Sequence, residues 1–311
     1  MHQCLAKSDY GIMLNQAVYS VEGRHLMVIE GRDRSEGWRH AKLDGHANEK
    51  LFAEFLVRDE EFITEIRNHL LEISPTGEPE ISVDGAKHVD SIFGDKTTSK
   101  VDLAINWSSG EQINISLKKS NSGQVWLISL PRFLSAIEFH LDREIDLEVK
   151  IGLSLFIGGS NLANYESYFD QALKLDKKKN PEFVDLEIHQ SRLVSQSIGV
   201  NFPSVWDTTL DFLNSNIGLI TKLAFSQGLA KSQTDAANVI VYNKAPSGES
   251  IFSISRIIQK AELHIASHPV TAGPRNGGST LQLPTGFLQM HHPQGDNLLQ
   301  FHHQHKKISK L

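Results

Sequence analysis

Two short runs of strict alternation around a turn constrain this chain more than anything else in it. Val101, Leu103 and Ile105 alternate with polar residues, Ser108-Ser109-Gly110 interrupts, and Ile113, Ile115 and Leu117 resume the alternation. A period of two sends successive side chains to opposite faces of a strand, so two such runs joined by a Ser-Ser-Gly break predict a β-hairpin. Upstream, Phe52, Leu56, Ile63, Ile66 and Leu70 recur at helical spacing. This predicts one long helix or two short ones between Gly45 and about Ile73, stopped by Pro75, Gly77 and Pro79. Downstream, Val125-Trp126-Leu127-Ile128 predicts a buried strand, and Phe133, Leu134, Ile137 and Leu141 predict a helix starting after Pro131. The order helix, hairpin, helix implies an α/β core.

The remaining chain is less sharply patterned. Residues 145–155 fit a strand by alternation and a helix by the spacing of Leu147, Ile151 and Leu155, with Gly158-Gly159 ending the element either way. Helices are expected near 205–216 and 219–230, with Gly218 between them, and a strand over 238–242. Residues 269–286, rich in Pro, Gly, Ser and Thr, read as a loop; 286–292 and 297–303 flank Pro293-Gln294-Gly295-Asp296 as a final hairpin. In the N-terminal 44 residues, apolar stretches at 17–21 and 26–29 precede a loop beginning at Gly31 with Arg32, Arg34, Trp38 and Arg39, which reads as solvated rather than as a phosphate contact.

A formal charge of −6 over 311 residues argues against a surface that attracts nucleic acid everywhere, and leaves room for a local basic cleft. The lone Cys4 cannot form an intramolecular disulfide, and no basic start with a following apolar run resembles a signal peptide. With no stretch near the roughly 18 apolar residues of a membrane span, a cytoplasmic protein without membrane contact is expected.

The hairpin also carries the sharpest chemical feature. Asp102 enters its first strand, and Ser116 and Lys118 share one face of the second, with Leu117 turned to the core. Phosphodiester hydrolysis needs a carboxylate to hold Mg²⁺ against a phosphate oxygen and a cation to orient water and stabilise developing charge. Asp102 and Lys118 supply those two groups. Glu49 precedes Phe52, Ala53 and Leu56 by three, four and seven residues, which puts it on an inward face where a charge needs a partner or a metal. An N-terminal acid favoured by the helix dipole explains it equally well. Lys96, Lys100 and Lys119 are candidates for backbone phosphates of DNA. Glu148-Val149-Lys150 repeats the acid-x-Lys pattern without an upstream acid on a neighbouring strand. His291, His292, His302, His303 and His305 crowd the last hairpin, without the Cys or Asp partners of a zinc site.

Together, Lys96-Thr97-Thr98-Ser99-Lys100-Val101-Asp102-Leu103-Ala104-Ile105 and Asn114-Ile115-Ser116-Leu117-Lys118-Lys119-Ser120 resemble the core of the PD-(D/E)XK nucleases as it occurs in restriction endonucleases. Two departures stand out: Val101 takes the usual proline position, and Ser116 replaces the second acid. The resemblance implies a restriction-endonuclease-like fold, a mixed central sheet flanked by helices, with further α+β elements towards the C-terminus. It implies Mg²⁺ held by Asp102 and the carbonyl of Leu117, with Glu49 helping and Lys118 orienting the nucleophile. Glu54 and Glu138 are weaker substitutes for the missing acid, and Gln124 matches a glutamine that positions water or phosphate in some of these enzymes. The expected organisation is an extension over 1–44, a catalytic core over 45–165, and a DNA-recognition and dimerisation region over 166–311. The expected function is that of a type II restriction endonuclease, a homodimer cutting double-stranded DNA at a fixed sequence. The rivals are a structure-specific repair or recombination nuclease and a non-catalytic DNA-binding protein with a degenerate core.

Overall fold

The computed structural model describes residues 16–21, 24–29, 49–70, 77–83, 87–158, 198–199, 202–242, 250–275, 278–291 and 297–311. The expected loop from Gly31 to Arg39, Pro75, Gly159 and the Pro293-to-Asp296 turn lie outside them. Strands β1 (Gln16–Val21) and β2 (Arg24–Ile29) form an antiparallel pair. The helical stretch after Gly45 is two helices: α1 over residues 49–58 and α2 (Glu60–Asn68). Asp59 divides them, its carboxylate accepting from the Phe62 N–H at 2.9 Å as the N-cap of α2.

The predicted hairpin is present. Strand β3 (Pro79–Val83) comes first, then the small pair β4 (His88–Asp90) and β5 (Lys96–Thr98), then β6 (Leu103–Trp107) and β7 (Gln112–Lys118). Leu103 pairs with Ile115 and Ile105 with Ile113, and Gly110 turns the chain at φ +96°, a conformation that costs glycine nothing. After β8 (Ser122–Ser129) come α3 (Leu130–Leu141) and α4 (Leu147–Ile157), which settles the ambiguous 145–155 stretch as helix. Val149 and all of 151–157 are buried, so no polar stripe marked the helical period.

The second half supplies α5 (Pro203–Ser215), α6 (Ile217–Lys222) continuing as a π-helical turn over Leu223–Gln227, β9 (Val239–Tyr242), β10 (Ile251–Ser253) and α7 (Ile254–Ile265). The expected loop at 269–286 is instead largely a hairpin of β11 (Thr271–Arg275) and β12 (Gly278–Leu283). Its Pro274 lies in β11, an edge strand, the kind of strand in which proline is tolerated. Pro79, read as a helix stop, likewise opens the edge strand β3. β13 (Gly286–His291) and β14 (Leu298–Gln304) form the expected final hairpin, followed by the short α8 (His305–Ile308).

Two five-stranded sheets organise the molecule. The central sheet runs β10-β9-β7-β6-β3 and is mixed, because β7 and β9 are parallel while the other pairs are antiparallel. The second sheet, β11-β12-β13-β14-β8, is antiparallel throughout. Each takes strands from both sides of residue 166, so the division at 165/166 is one of sequence rather than of packing. Helices α1 and α2 cover one face of the central sheet: Phe52, Leu56, Phe62 and Ile66 pack with Leu103, Ile105, Ile113, Ile115 and Val241. The opposite face, carrying Ile240 and Tyr242, joins a larger core with the second sheet and the remaining helices. Within it Trp126, Phe133 and Phe301 pack edge-on and tilted in a triad, with centroids 5.3–6.0 Å apart, that ties β8, α3 and β14 together. Among the described residues no helix is long and apolar enough to cross a membrane.

Candidate active site at the open end of the central hairpin

Asp102 lies one residue before β6, and its backbone N–H still donates to the Ile115 carbonyl at 2.9 Å. That bond holds it in register beside β7. Oδ2 of Asp102 accepts from the Leu117 N–H at 2.6 Å and faces the Ser116 hydroxyl at 3.4 Å, while Lys118 Nζ donates to Ser116 Oγ at 2.8 Å. Lys118, Ser116 and Asp102 thus form one continuous polar line. A residue in a strand projects its N–H and C=O to the same side, so the Leu117 carbonyl leaves β7 on the side where Asp102 sits. Ser116 is 2% exposed. Where a second acid would add charge, its neutral hydroxyl joins the ammonium to the carboxylate.

The backbone leading into Asp102 is clamped. Ser99 Oγ donates to the Asp235 carbonyl at 3.1 Å and accepts from the Val101 N–H at 3.0 Å. Lys100, expected as a DNA contact, is half-buried, with Nζ donating to the Val125 carbonyl at 2.7 Å and lying 5.7 Å over the Trp126 ring. Gly228, at φ +57°, makes room for its stem: an added Cβ would meet Lys100 Cε at 3.1 Å. Burial pulls the Lys100 ammonium down to about 7, Lys118 pushes the same way, and Asp102 opposes both. One carboxylate therefore sits between two lysines.

A second layer lies behind Lys118. Tyr242 pairs with Lys118 across the parallel β7–β9 ladder, and its hydroxyl meets His303 Nδ1 at 3.0 Å. Burial, then the positive charge of Lys118, brings His303 down to about 3, so the ring stays neutral at physiological pH. Residue spacing alone did not find Tyr242 or His303 as neighbours of the site. The strand 238–242 and the last hairpin were both expected, but nothing local says that β9 runs parallel to β7.

The other expected site residues fall as follows. Glu49 opens α1 and is half-buried. Its helix covers the face of Leu103 and Ile115, whereas Asp102, Ser116 and Lys118 share the other. Gln124 is exposed on β8 and accepts from Gln300 Nε2 at 2.8 Å. Lys96 pairs with Asp90 at 2.6 Å on the exposed β4–β5 hairpin, and Lys119 is half-buried just beyond β7. Glu148 and Lys150 lie two apart on a helix, on different sides of it, and Lys150 pairs with Glu138 at 2.9 Å.

No family model and no curated protein matches the sequence. Among solved structures the chain is similar to restriction endonuclease MspI in complex with its cognate DNA, at 11% identity, over 80% of this chain and 83% of that one, with a TM-score of 0.42. A likeness of that size leaves the chemistry to the residues.

The donor set bears on which metal the site suits. Among the described residues no group of three or more His, Cys, Asp or Glu side chains is placed to hold a metal ion. Mg²⁺ ordinarily keeps several waters and takes one or two carboxylates plus substrate phosphate. Asp102 with the Leu117 carbonyl fits that pattern.

Proposed function

We propose that the chain is a Mg²⁺-dependent deoxyribonuclease that hydrolyses phosphodiester bonds in double-stranded DNA, of the PD-(D/E)XK kind and type II in action. The observation that carries this reading is the hydrogen-bonded line Lys118–Ser116–Asp102 at the open end of the β6–β7 hairpin. Asp102 and the Leu117 carbonyl would hold the metal, which supplies positive charge at the phosphate and lowers the pKa of bound water. Lys118, fixed by Ser116, orients the attacking water and stabilises charge on the phosphate. The elements after residue 166 are the candidates for reading base edges in the major groove, and a two-fold homodimer suits a palindromic site. Lys96 and Lys119 are proposed phosphate contacts; Lys100, with its ammonium turned to Val125 and Trp126, is proposed to act from inside the site.

The test is incubation of the wild-type protein and Lys118→Ala with unmethylated phage-sized duplex DNA, with and without Mg²⁺. Discrete Mg²⁺-dependent fragments that fall at least about 100-fold in the variant are expected, the scale of a lost general acid–base or electrostatic group. A smear points to a structure-reading nuclease. A second reading, a DNA-binding protein without catalysis, is favoured by the serine at 116, and binding without cutting in either metal condition would establish it over hydrolysis.

A further inference from the structure

At the far end of the central sheet from Lys118 lies a cavity of about 610 Å³ between α2, α6, β10 and α7. Asn238, which borders it, donates its backbone N–H to the Asn114 carbonyl. Asn114 precedes Lys118 by four residues on β7, about 13 Å at the rise of an extended strand. None of Asp102, Ser116 and Lys118 is among the residues lining the cavity.

Its lining carries two cations, Lys222 at the end of α6 and Arg256 in the first turn of α7; His69, whose imidazole burial holds towards the neutral form, caps α2, and no carboxylate lines the space among the described residues. Glu65 faces His69 from within α2, and Glu262 packs over Gly218 one turn before Lys222, both outside the lining. Arg256 and Lys222 enter no ion pair among the described residues, and Arg256 acts on His69 by repulsion. Like charges gathered in one concavity without counter-charge point to an anionic occupant.

The rest of the lining narrows the kind of anion. α7 is 12 residues long and has no acid in its first turn and no side-chain cap; the Ile254 N–H donates to the Asn238 carbonyl at 2.9 Å, and the N–H groups that follow it add positive potential at this end of the helix. Ser253 and Ser255 share one hydrogen bond at 2.9 Å; two hydroxyls own two protons, so one remains to donate elsewhere. Guanidinium, ammonium, hydroxyl and helix N-terminus are the donor set that recognises phosphate. Leu70, Ile254 and Ile258 give the same space an apolar wall, and its volume is that of a small-molecule site rather than of a lone ion.

We propose that this cavity is a second, non-catalytic binding site that recognises a phosphate ester carrying an organic body of nucleotide size. The occupant is either a free nucleotide or one nucleotide unit of a DNA strand, and the same donors serve both.

The full chain, Arg256→Ala, Arg256→Ala/Lys222→Ala and the control Lys260→Ala, a charge removed elsewhere on α7, are compared by thermal unfolding and by duplex binding over a salt series. Arg256 is exposed, so its truncation leaves the packing intact if the double variant folds poorly. With a free nucleotide as occupant, dAMP at about 100 times its Kd raises Tm by about 4 °C in wild type and control, adenosine does not, and the shift is lost in the double variant. With DNA as occupant, dAMP shifts nothing, and the slope of log K against log salt is shallower by about 2 in the double variant and by about 1 in Arg256→Ala. The proposal is overturned if dAMP is silent and all slopes coincide, if adenosine matches dAMP, or if the dAMP shift survives in the double variant. These readouts need no cleavage, so failure of the nuclease reading leaves them intact.

Discussion

Replacing Asp102 in two ways separates its structural bond from its charge. Leu117 is 8% exposed, and its N–H has the Asp102 carboxylate as acceptor at 2.6 Å. A hydrogen bond to a charged acceptor contributes about 1.5–3 kcal/mol net, and a neutral one about 0.5–1.5 kcal/mol. Asp102→Asn keeps an oxygen within reach of that N–H, so the loss is the difference between the two, about 1 kcal/mol. Asp102→Ala leaves the N–H without an acceptor and loses the whole contribution, about 1.5–3 kcal/mol. Both variants remove the same negative charge from between Lys100 and Lys118, so that term cancels when they are compared. Urea unfolding at pH 8 should therefore place the alanine variant about 0.5–2 kcal/mol below the asparagine one. Amide exchange at Leu117 should accelerate only in the alanine variant. Mg²⁺-dependent cleavage should fall at least about 100-fold in both, since neither offers a carboxylate. Equal destabilisation of the two, or an unchanged Leu117 exchange rate in Asp102→Ala, would refute the assignment of that bond.

Other consequences follow from burial and close packing. Lys100 titrates near 7 in the fold and near 10.4 when unfolded. The unfolded chain thus holds the extra proton between those values, and stability should rise with pH from about 7 to 10, by at most about 1.4 kcal/mol per unit; Lys100→Met should flatten that rise in chemical denaturation. His303, held near 3, stays neutral while its unfolded counterpart protonates below about 6.5. Its contribution is full above pH 6.5 and is lost as pH falls towards 3, so His303→Gln should weaken acid destabilisation over that window in a pH series of melts. Gly152 in α4 faces Thr209 of α5 so closely that a Cβ would come 2.1 Å from Oγ1. Gly152→Ala should cost about 1–3 kcal/mol, and Thr209→Ala should recover part of it, in a double-mutant cycle read by urea unfolding.

The parts of this fold that local pattern dictates were legible in the sequence. The β6–β7 hairpin announced itself because alternation, turn and alternation are all local, and with it came Asp102, Ser116 and Lys118. What could not be read is long-range pairing. Tyr242 stands beside Lys118 only because β9 adds to β7 in parallel, across 120 residues of intervening chain that no periodicity encodes. His303 reaches the same place from the other sheet. Lys100 read as a surface cation because its neighbours Val125, Trp126 and Gly228 are contributed by other elements. The β11–β12 hairpin was hidden by composition, since Pro274 breaks a strand only where its N–H is needed. Glu49 marks a limit of local pattern: periodicity on α1 places it on the side of Phe52 and Leu56, but the sheet has two faces, and phase on one helix does not say which face that helix covers.

The interleaving of the two sheets has a consequence for synthesis. β7 waits for β9, and β8 waits for β14, so neither sheet can close on its neighbours while the chain is short. A growing polypeptide emerging from the ribosome would hold the hairpin of Asp102 and Lys118 early, yet lack Tyr242 behind it until β9 follows and His303 until β14 does. The wall behind Lys118 is assembled only once β14 has emerged, and a chain truncated before β14 leaves β8 without the partner that seats it.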